Sequence, residues 1–346
     1  MATRTLIEQD ARDAVDALAP AALDALRGRS LFITGGTGFV GKWLLEILLC
    51  ANARKGLGLR ITVLTREPAA FSRLHPSLAA APGLTLQPGS VEDFSFPPGR
   101  FDLALHAALP VAASGAEGAG LADRAWAGVA RVCAFAAQAG AGRLLHVSSG
   151  AVYGAHPGGG TDESAQWTEL PANEYTRAKR AAEQYLEAGD WPFDVVIARC
   201  FAFVGPYQEG ASGSAAAQFI EQAAAGRDIT VQGDGSPVRS YQYAADMARW
   251  LVTLLGMAPA GMVCNVGSAE PVTIRELASQ VARRAGCGYA VLGGARAGLA
   301  GNFYVPSVAR ARDVLGLDSR VSLDEAIRRT LAWREAVRAL EKPHHE

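Results

Sequence analysis

Short runs of apolar residues punctuate the first two hundred positions of the chain. They are SLFIT (30–34), RITVLT (60–65), LTLQ (84–87), FDLALH (101–106), RLLHVS (143–148) and FDVVIA (193–198). Runs that are apolar nearly throughout predict strands buried on both faces of a parallel sheet. Helix-length segments at 40–51, 119–139 and 174–188 lie between several of them. The alternation predicts an α/β fold in which helices cover both faces of a doubly wound parallel sheet.

The pattern loosens after residue 200. Gly, Ser and Pro concentrate at 204–214 and 232–240, and helical patterns follow at 214–226, 244–256, 273–286 and 322–339. We therefore expect residues 30–200 to form the main nucleotide-binding domain. Residues 201–346 are expected to form mainly a smaller lobe, partly interleaved with that domain, over the carboxyl edge of the sheet. The first 29 residues predict an N-terminal helical extension.

Composition and charge narrow the class of protein. The 346 residues are 49% hydrophobic and 19% charged, which suits a large core, and 33 basic against 34 acidic residues indicate no nucleic-acid-binding surface. The five cysteines contain no C-x-x-C pair, so reduced thiols are expected. The N-terminus has no apolar core, and no run of eighteen apolar residues occurs. We expect a soluble cytoplasmic protein with no membrane segment.

A glycine-rich stretch joins the first strand to the first long helix, in FITGGTGFVGKWLLEILL (32–49). Gly35, Gly38 and Gly41 fit G-x-x-G-x-x-G, and a start at Gly36 fits G-x-G-x-x-G. Such glycines bring the backbone close to a pyrophosphate and place its charge at a helix N-terminus. We expect a dinucleotide to bind here, with Phe39 and Val40 also in contact. Glycines needed only for helix–strand packing are the alternative.

The end of the second strand bears on the choice between NAD and NADP. An acid there would bind the ribose hydroxyls, but the strand ends on Thr65 and Arg66, and the first acid is Glu67. An arginine suits a 2′-phosphate through paired hydrogen bonds. The cofactor is therefore predicted to be NAD or NADP, with NADP favoured. The alternative is that Arg66 stacks on adenine and discriminates nothing.

Tyr175 and Lys179 form a Y-x-x-x-K pair in NEYTRAKRAAEQYLEAG (173–189). Residues four apart share one face of a helix. Tyrosine is a poor base at pH 7, and bringing its pKa near 7 takes roughly 4 kcal/mol of phenolate stabilisation. A lysine ammonium and a nicotinamide cation can supply it. Ser148 and Ser149 stand at a predicted strand tip, so a hydroxyl, a tyrosine and a lysine are candidates for one catalytic site.

These pieces together resemble the extended short-chain dehydrogenase/reductases, above all the nucleotide-sugar epimerases and dehydratases. The resemblance covers about residues 30–342. The matching pieces are TGGTGFVG, HAA (106–108), SSGAVYG, YTRAK, RCFAFVGP (199–206), GDGSPVRSYQYAADMA (233–248), NVGS (265–268) and VARARDVLGL (308–317). The resemblance implies a Rossmann fold, a nucleotide-diphosphate-sugar substrate, and a homodimer built on helices 119–139 and 174–188.

The resemblance also implies roles for residues. Ser149 would bind the sugar hydroxyl, Tyr175 would take the C4 hydroxyl proton, and Lys179 would bind the nicotinamide ribose. Arg239 matches an arginine that grips the nucleotide diphosphate, and Arg296 is a second candidate by a looser alignment. The cofactor would also contact Thr65, Arg66, Ser90, Val91, His106, Ala107 and Ala108. Tyr153 is expected to pack and His106 to order the cofactor loop, since no cluster of metal ligands accompanies it.

Departures from the family pattern bear on the substrate and the reaction. Ser90 stands where an Asp is often found near the adenine, and Ala202 stands where an Asn commonly touches the sugar or phosphates; another Asn is usual near Ala125. The 4,6-dehydratases carry Asp-Glu directly after the catalytic Thr, and decarboxylases keep a Glu there. Here those positions are Gly150 and Ala151, and neither can move a proton.

We therefore favour a nucleotide-sugar epimerase that oxidises C4 transiently and returns the same hydride. An NADPH-dependent 4-keto-sugar reductase needs the same three groups and is the first alternative. A 4,6-dehydratase with acid/base groups recruited elsewhere is the second. A non-catalytic dinucleotide sensor is a distant alternative, since it does not need the serine, tyrosine and lysine. No metal is expected.

Overall fold

A seven-stranded parallel sheet forms the centre of the structure, a computed structural model that describes residues 2–109, 120–154, 158–167, 173–208, 213–294 and 303–341. Its strands are β1 (Ser30–Thr34), β2 (Arg60–Thr65), β3 (Leu84–Pro88), β4 (Leu103–His106), β5 (Arg143–Ser149), β6 (Asp194–Cys200) and, numbered along the chain, β11 (Val263–Val266). They lie in the order β11-β6-β5-β4-β1-β2-β3, and every neighbouring pair is parallel. The chain reverses its direction of winding between β1 and β4, so ligands are expected at that point on the carboxyl edge.

Short strands outside the central sheet build the second lobe. They are β7 (Ala202–Val204), β8 (Ile229–Val231), β9 (Val238–Arg239), β10 (Tyr241–Tyr243), β12 (Val272–Thr273), β13 (Tyr289–Val291) and β14 (Phe303–Tyr304). They pair as β10-β7, β12-β9-β14 and β13-β8. In the middle group Tyr304 is paired with Arg239, which brings two side chains of this lobe to one place.

Helices cover both faces of the sheet. They are α1 (Ala2–Asp16), α2 (Pro20–Asp24), α3 (Phe39–Lys55), α4 (Pro68–Leu74), α5 (Pro76–Ala79), α6 (Leu121–Gln138), α7 (Glu174–Ala188), α8 (Ala215–Ala224), α9 (Ala244–Met257), α10 (Ile274–Ala285), α11 (Ala309–Leu315) and α12 (Leu323–Glu341). On one face α6 and α7 enclose a core around Phe32 and Leu144. On the other face α3 and α9 pack on Leu31 and Leu145.

The predicted fold class is confirmed, and the six predicted strands end within two residues of the observed ones. The seventh strand, β11, was not predicted, because four residues in a glycine-rich region carry too short an apolar pattern. It pairs with β6, so a segment from beyond residue 200 completes the central sheet. The boundaries drawn between domains remain a prediction.

The N-terminal extension is two helices, and α1 packs on α3, α9 and α12. Its buried Asp10 accepts hydrogen bonds from the Tyr243 hydroxyl and the Arg329 guanidinium. A buried carboxylate needs such partners to offset its lost hydration. The extension is therefore part of the fold. No helix in the described ranges is both long and apolar enough to cross a membrane.

Candidate active site

The glycines after β1 form a bare-backbone cradle. Gly35 has a φ of +74°, and a Cβ there would lie 2.5 Å from the carbonyl carbon of Ala107. A Cβ on Gly41 would lie 2.2 Å from the Gly35 oxygen. Gly38 is exposed at the N-terminus of α3, and a Cβ there would meet only the Gly35 oxygen, at 3.5 Å. The arrangement fits a pyrophosphate above Gly38 in the Gly35–Gly38–Gly41 register.

A cleft of about 280 Å³ opens beside this cradle at the β1/β4 switch point. Of the predicted cofactor residues, eight line it: Gly35, Gly38, Thr65, Arg66, Ser90, Val91, Ala107 and Ala108. Phe39, Val40 and Gly41 lie instead in the first turn of α3. His106 is buried behind the cleft, with its Nδ1 2.7 Å from the Thr34 hydroxyl, which also accepts a hydrogen bond from the Ala108 amide. Thr34 thus links His106 to Ala108 in the wall of the cleft.

Two arginines line the cleft. Arg66 is exposed just after β2. Arg124, which was not predicted, pairs through its Nε (3.1 Å) and Nη2 (2.7 Å) with Oε1 of Glu92. Its position within the helix predicted at 119–139 gave no signal of a place in this cleft. Arg124 and Glu92 thus place a positive and a negative charge side by side in the cleft. Arg66 adds a further positive charge at the end of β2.

Ser149, Tyr175 and Lys179 meet at the carboxyl end of β5. The strand ends on Ser149, whose Oγ accepts a hydrogen bond of 3.2 Å from the Ala151 amide. The side chain of Tyr175 lies close enough to Ser149 for the serine to lower its pKa. The side chain of Asn173 caps α7 by accepting from the Thr176 amide at 2.8 Å. This cap starts the helix so that Tyr175 and Lys179, one turn apart, both face the strand tip.

Burial has the largest effect on the pKa values of Tyr175 and Lys179. Burial of the hydroxyl raises the pKa of Tyr175, although 39% of the residue is exposed, and the hydrogen bond with Ser149 opposes the rise. Burial also lowers the pKa of Lys179 to about 8, against an opposing effect of Cys200 and Glu183. The Lys179 ammonium donates to the Val147 carbonyl at 2.8 Å. The chain by itself therefore does not lower the pKa of Tyr175.

A buried ion pair supports the site from behind. The guanidinium of Arg199 donates to Glu183 from Nε (3.0 Å) and Nη2 (2.6 Å), and the Ser148 hydroxyl donates to the same carboxylate. Glu183 is fully buried one helical turn beyond Lys179. The pair holds α7 against β5 and β6.

Tyr304 is a site residue that the sequence did not reveal. Its hydroxyl lies 3.4 Å from Ser149 Oγ and 3.4 Å from the Cys200 carbonyl oxygen. The guanidinium of Arg239 lies over its ring, 5.7 Å from the ring centre. Arg239 and Ser149 are thus brought to one wall of the site, while Arg296 lies outside the described residues. Only the pairing of β14 with β9, which a sequence pattern of two residues cannot show, places Tyr304 here.

Phe201 fills the space beside Gly150. A Cβ on Gly150 would lie 2.6 Å from two atoms of the Phe201 ring. That ring is 4.6 Å from the ring of Tyr304, and Ala202 follows it on β7, half-buried and paired with Tyr241. Tyr153 is buried, and its hydroxyl donates to Asn265 at 2.8 Å, which fits a packing residue. Among the residues that the structure covers, no cluster of three or more His, Cys, Asp or Glu could hold a metal.

Comparison with known proteins identifies the family of this chain. The model of the NAD-dependent epimerase/dehydratase family matches residues 31–267. A dTDP-glucose 4,6-dehydratase of Streptomyces niveus is 29% identical over 58% of this chain, and a UDP-glucose 4-epimerase of Mycolicibacterium smegmatis is 32% identical over 60%. The matched regions span only 60% and 66% of those two proteins.

Solved structures agree on the fold. A dTDP-glucose 4,6-dehydratase from Streptomyces venezuelae, solved with NAD bound, superimposes with a TM-score of 0.76 at 25% identity, over 90% of this chain and 98% of that one. A UDP-glucuronic acid 4-epimerase from Bacillus cereus, in complex with UDP-glucuronic acid and NAD, gives 0.75 at 18% identity, over 89% and 99%. The second likeness shows the fold alone. The family match covers more than half of the chain, which therefore belongs to the NAD-dependent epimerase/dehydratase family.

Proposed function

We propose that the protein is a nucleotide-sugar epimerase that acts by transient oxidation at C4 of the sugar. One observation carries the proposal: Ser149, Tyr175 and Lys179 lie together at the carboxyl edge of the sheet that also carries the glycine cradle, while Gly150 and Ala151 offer no further acid or base. Hydride transfer at a carbinol carbon needs only those three groups. Elimination across C5 and C6 would need a further acid and base.

Each residue of the site has a separate role in this reaction. Ser149 and Tyr175 hold the C4 hydroxyl, and Tyr175 accepts its proton as the C4–H bond breaks. A nicotinamide dinucleotide, when bound, accepts the hydride from C4 and supplies it again. Gly35, Gly38 and Gly41 would hold its pyrophosphate, and Lys179 would bind the nicotinamide ribose. Return of the proton from Tyr175 to the oxygen as C4 regains hydrogen on its other face completes the inversion.

An NADPH-dependent 4-keto-sugar reductase is the second candidate. Arg66, at the tip of β2 where Thr65 replaces an acid, supports it, since a guanidinium suits a 2′-phosphate. In this reaction Tyr175 donates its proton to the carbonyl oxygen. A 4,6-dehydratase would have to take its acid and base from elsewhere, and a non-catalytic sensor has no need of the three groups.

We also infer a homodimer built on α6 and α7. Trp126 on α6 is 51% exposed, and its ring meets the ring of Tyr185 on α7 edge-on at 5.5 Å. Tyr185 in turn packs on Trp191 at 5.3 Å. A large aromatic residue exposed on α6 next to α7 suits a contact with a second copy, in which the same helices pair about a two-fold axis.

Incubation of the protein with UDP- and dTDP-linked hexoses and 4-keto-6-deoxyhexoses tests the reaction. Epimerase activity gives the C4 epimer without net consumption of cofactor, and stoichiometric oxidation of added NADPH identifies the reductase instead. Tyr175→Phe is the control, because it removes the proton acceptor and leaves the glycine cradle intact. Absence of product with every sugar, in the presence of NAD or NADPH, would overturn both enzymatic assignments.

A further inference from the structure

An apolar wall stands next to Ser149. It consists of Gly150, Ala151 and the rings of Phe201 and Tyr304. Phe201 is only 7% exposed, and its ring is held between the rings of Tyr304 (4.6 Å) and Tyr153 (6.2 Å). The contact with Gly150 closes the space that a polar side chain at that position would need.

The polar atoms of this wall are already engaged. The Tyr304 hydroxyl is shared between Ser149 Oγ and the Cys200 carbonyl, each at 3.4 Å. The Ala151 amide donates to Ser149 Oγ at 3.2 Å. Burial raises the pKa of the Cys200 thiol to about 12, so it is neutral near pH 7. The surface that the wall presents to a ligand is therefore made of carbon atoms.

The position of C4 then determines which groups of the sugar contact this apolar wall. Ser149 and Tyr175 hold the C4 hydroxyl, so groups on the neighbouring ring carbons lie against the residues next to Ser149. In a hexose these groups are the C3 hydroxyl and, on C5, carbon C6. A hydroxyl or carboxylate at C6 would lose its hydration against Phe201 without gaining a partner. A C6 methyl group would instead gain apolar contact.

Resting on the proposed function, we propose that the substrate is a nucleotide-linked 6-deoxyhexose, whose C6 methyl group packs against the ring of Phe201. The same contact applies to the epimerase and to the reductase reaction. Such a substrate must come from a reaction that removes the C6 hydroxyl group.

Binding to the wild-type protein, measured by calorimetry in matched sugar pairs, tests this. The probes are dTDP-glucose against dTDP-6-deoxyglucose, UDP-glucose against UDP-6-deoxyglucose, and UDP-glucuronic acid. We expect the 6-deoxy member of at least one pair to bind about 10–100-fold more tightly. Equal binding within both pairs, or tighter binding of a glucose or glucuronic acid form, would overturn the proposal.

Two variants locate the effect. Phe201→Ser should reduce the preference for the 6-deoxy member to less than about threefold, because its hydroxyl can serve a polar C6 group. Phe201→Leu keeps an apolar wall and should keep the preference, which provides the test if the serine variant does not fold. Loss of the preference in the leucine variant, or its retention in a folded serine variant, contradicts the assignment to Phe201. Turnover is scored separately: a 6-deoxy preference without reaction leaves this inference standing and removes the proposed function.

Discussion

The ring of Phe201 occupies the space that a side chain on Gly150 would take, with two ring atoms 2.6 Å from the position of a Cβ there. Cβ atoms in proteins do not approach carbon so closely. The ring of Phe201 in this position therefore requires a glycine at position 150. Gly150 begins the turn after β5, and Phe201 follows β6, the next strand in the sheet. The absence of an acid at position 150 is thus built into the packing as well as the sequence.

Gly150→Asp should therefore fail to introduce a working carboxylate. The new side chain must displace the ring of Phe201 or distort the turn, and overpacking of this kind costs about 1–3 kcal/mol. Urea denaturation measures the loss in free energy of unfolding.

The double variant Gly150→Asp/Phe201→Ala is the decisive comparison. Removing the ring makes room, so the cost of the aspartate should fall by about 1 kcal/mol or more when Phe201 is already Ala. Ala151→Glu, at a half-buried position, is the control and should show no coupling to Phe201. Strictly additive effects of the Gly150 and Phe201 changes would contradict the close contact.

Lys179→Met should stabilise the protein below pH 8 while abolishing turnover. Burial lowers the pKa of Lys179 from its usual 10.5 to about 8, so the folded protein carries its charge at a cost below pH 8. Between pH 8 and 10.5 the unfolded chain binds more protons, so wild-type stability rises with pH across that window. The expected gain is about 1–3 kcal/mol at pH 7.

Thermal or urea unfolding of both proteins at pH 7 and pH 10 measures this gain. The advantage of the methionine variant should shrink at pH 10, where the wild-type lysine is largely neutral. Lys55→Met removes an exposed lysine and should change stability by no more than about 0.5 kcal/mol at either pH. A methionine variant less stable than wild type at pH 7 would show that the bond to the Val147 carbonyl outweighs the cost of burial.

Six strands of the sheet could be predicted from the sequence because each buried parallel strand is a local apolar run of the right length. Gly35, Gly38 and Gly41 were readable for the same reason: one loop holds all three. Two registers of that loop remained open, and only the structure shows that a Cβ would lie too close to a neighbour at Gly35 (Ala107), Gly36 (Val63) and Gly41 (Gly35).

Tyr304 and Phe201 escaped prediction because their places depend on distant contacts. Tyr304 meets Ser149 across more than 150 residues of chain, through a strand of two residues. Phe201 lay within a recognised motif, yet its contact with Gly150 leaves no trace in the local pattern. Spacing likewise shows that Lys179 is near Tyr175 but not that burial has the largest effect on the pKa of Tyr175.

Arg66→Ala should weaken recognition of a 2′-phosphate. Calorimetry with 2′-phospho-ADP-ribose and with ADP-ribose gives the ratio of their affinities, and we expect the variant to lower it about 10–100-fold by removing charge-assisted hydrogen bonds. Arg73→Ala removes an equal charge from α4, outside the residues that line the cleft, and should leave the ratio unchanged. Equal wild-type affinity for the two ligands would reject a preference for NADP.

Trp126→Glu should convert the protein to a monomer. A carboxylate at the centre of the inferred contact would lose its hydration against a second copy of the same helices. Sedimentation velocity at micromolar concentration measures the state. Leu74→Glu, on α4 and 67% exposed, is the control and should stay dimeric. A monomeric wild-type protein, or a dimeric Trp126→Glu variant, would contradict the inferred interface.

The side-chain amide of Asn265 joins three segments around the site. Its accepted and donated hydrogen bonds can be removed by separate substitutions. Its Oδ1 accepts from Tyr153 at 2.8 Å, and its Nδ2 donates to the carbonyl oxygens of Thr161 (2.8 Å) and Ser307 (3.2 Å). Ser307 lies three residues beyond Tyr304, so this bond fixes the segment that carries Tyr304 to the edge strand β11.

Asn265→Asp should keep the bond from Tyr153 and replace the two donated bonds with repulsion between oxygens. We expect a loss of about 1–3 kcal/mol in stability and a higher KM for the sugar nucleotide, because Tyr304 is no longer held beside Ser149. Tyr153→Phe removes the hydroxyl that donates to Asn265 and leaves both donated bonds in place, so it should cost about 1 kcal/mol with little change in KM. Steady-state kinetics gives the KM of each variant, and urea unfolding gives its stability. Together they separate the effect of the donated bonds from that of the bond accepted from Tyr153. If both variants raise KM equally, the donated bonds do not position Tyr304, and the amide serves stability only.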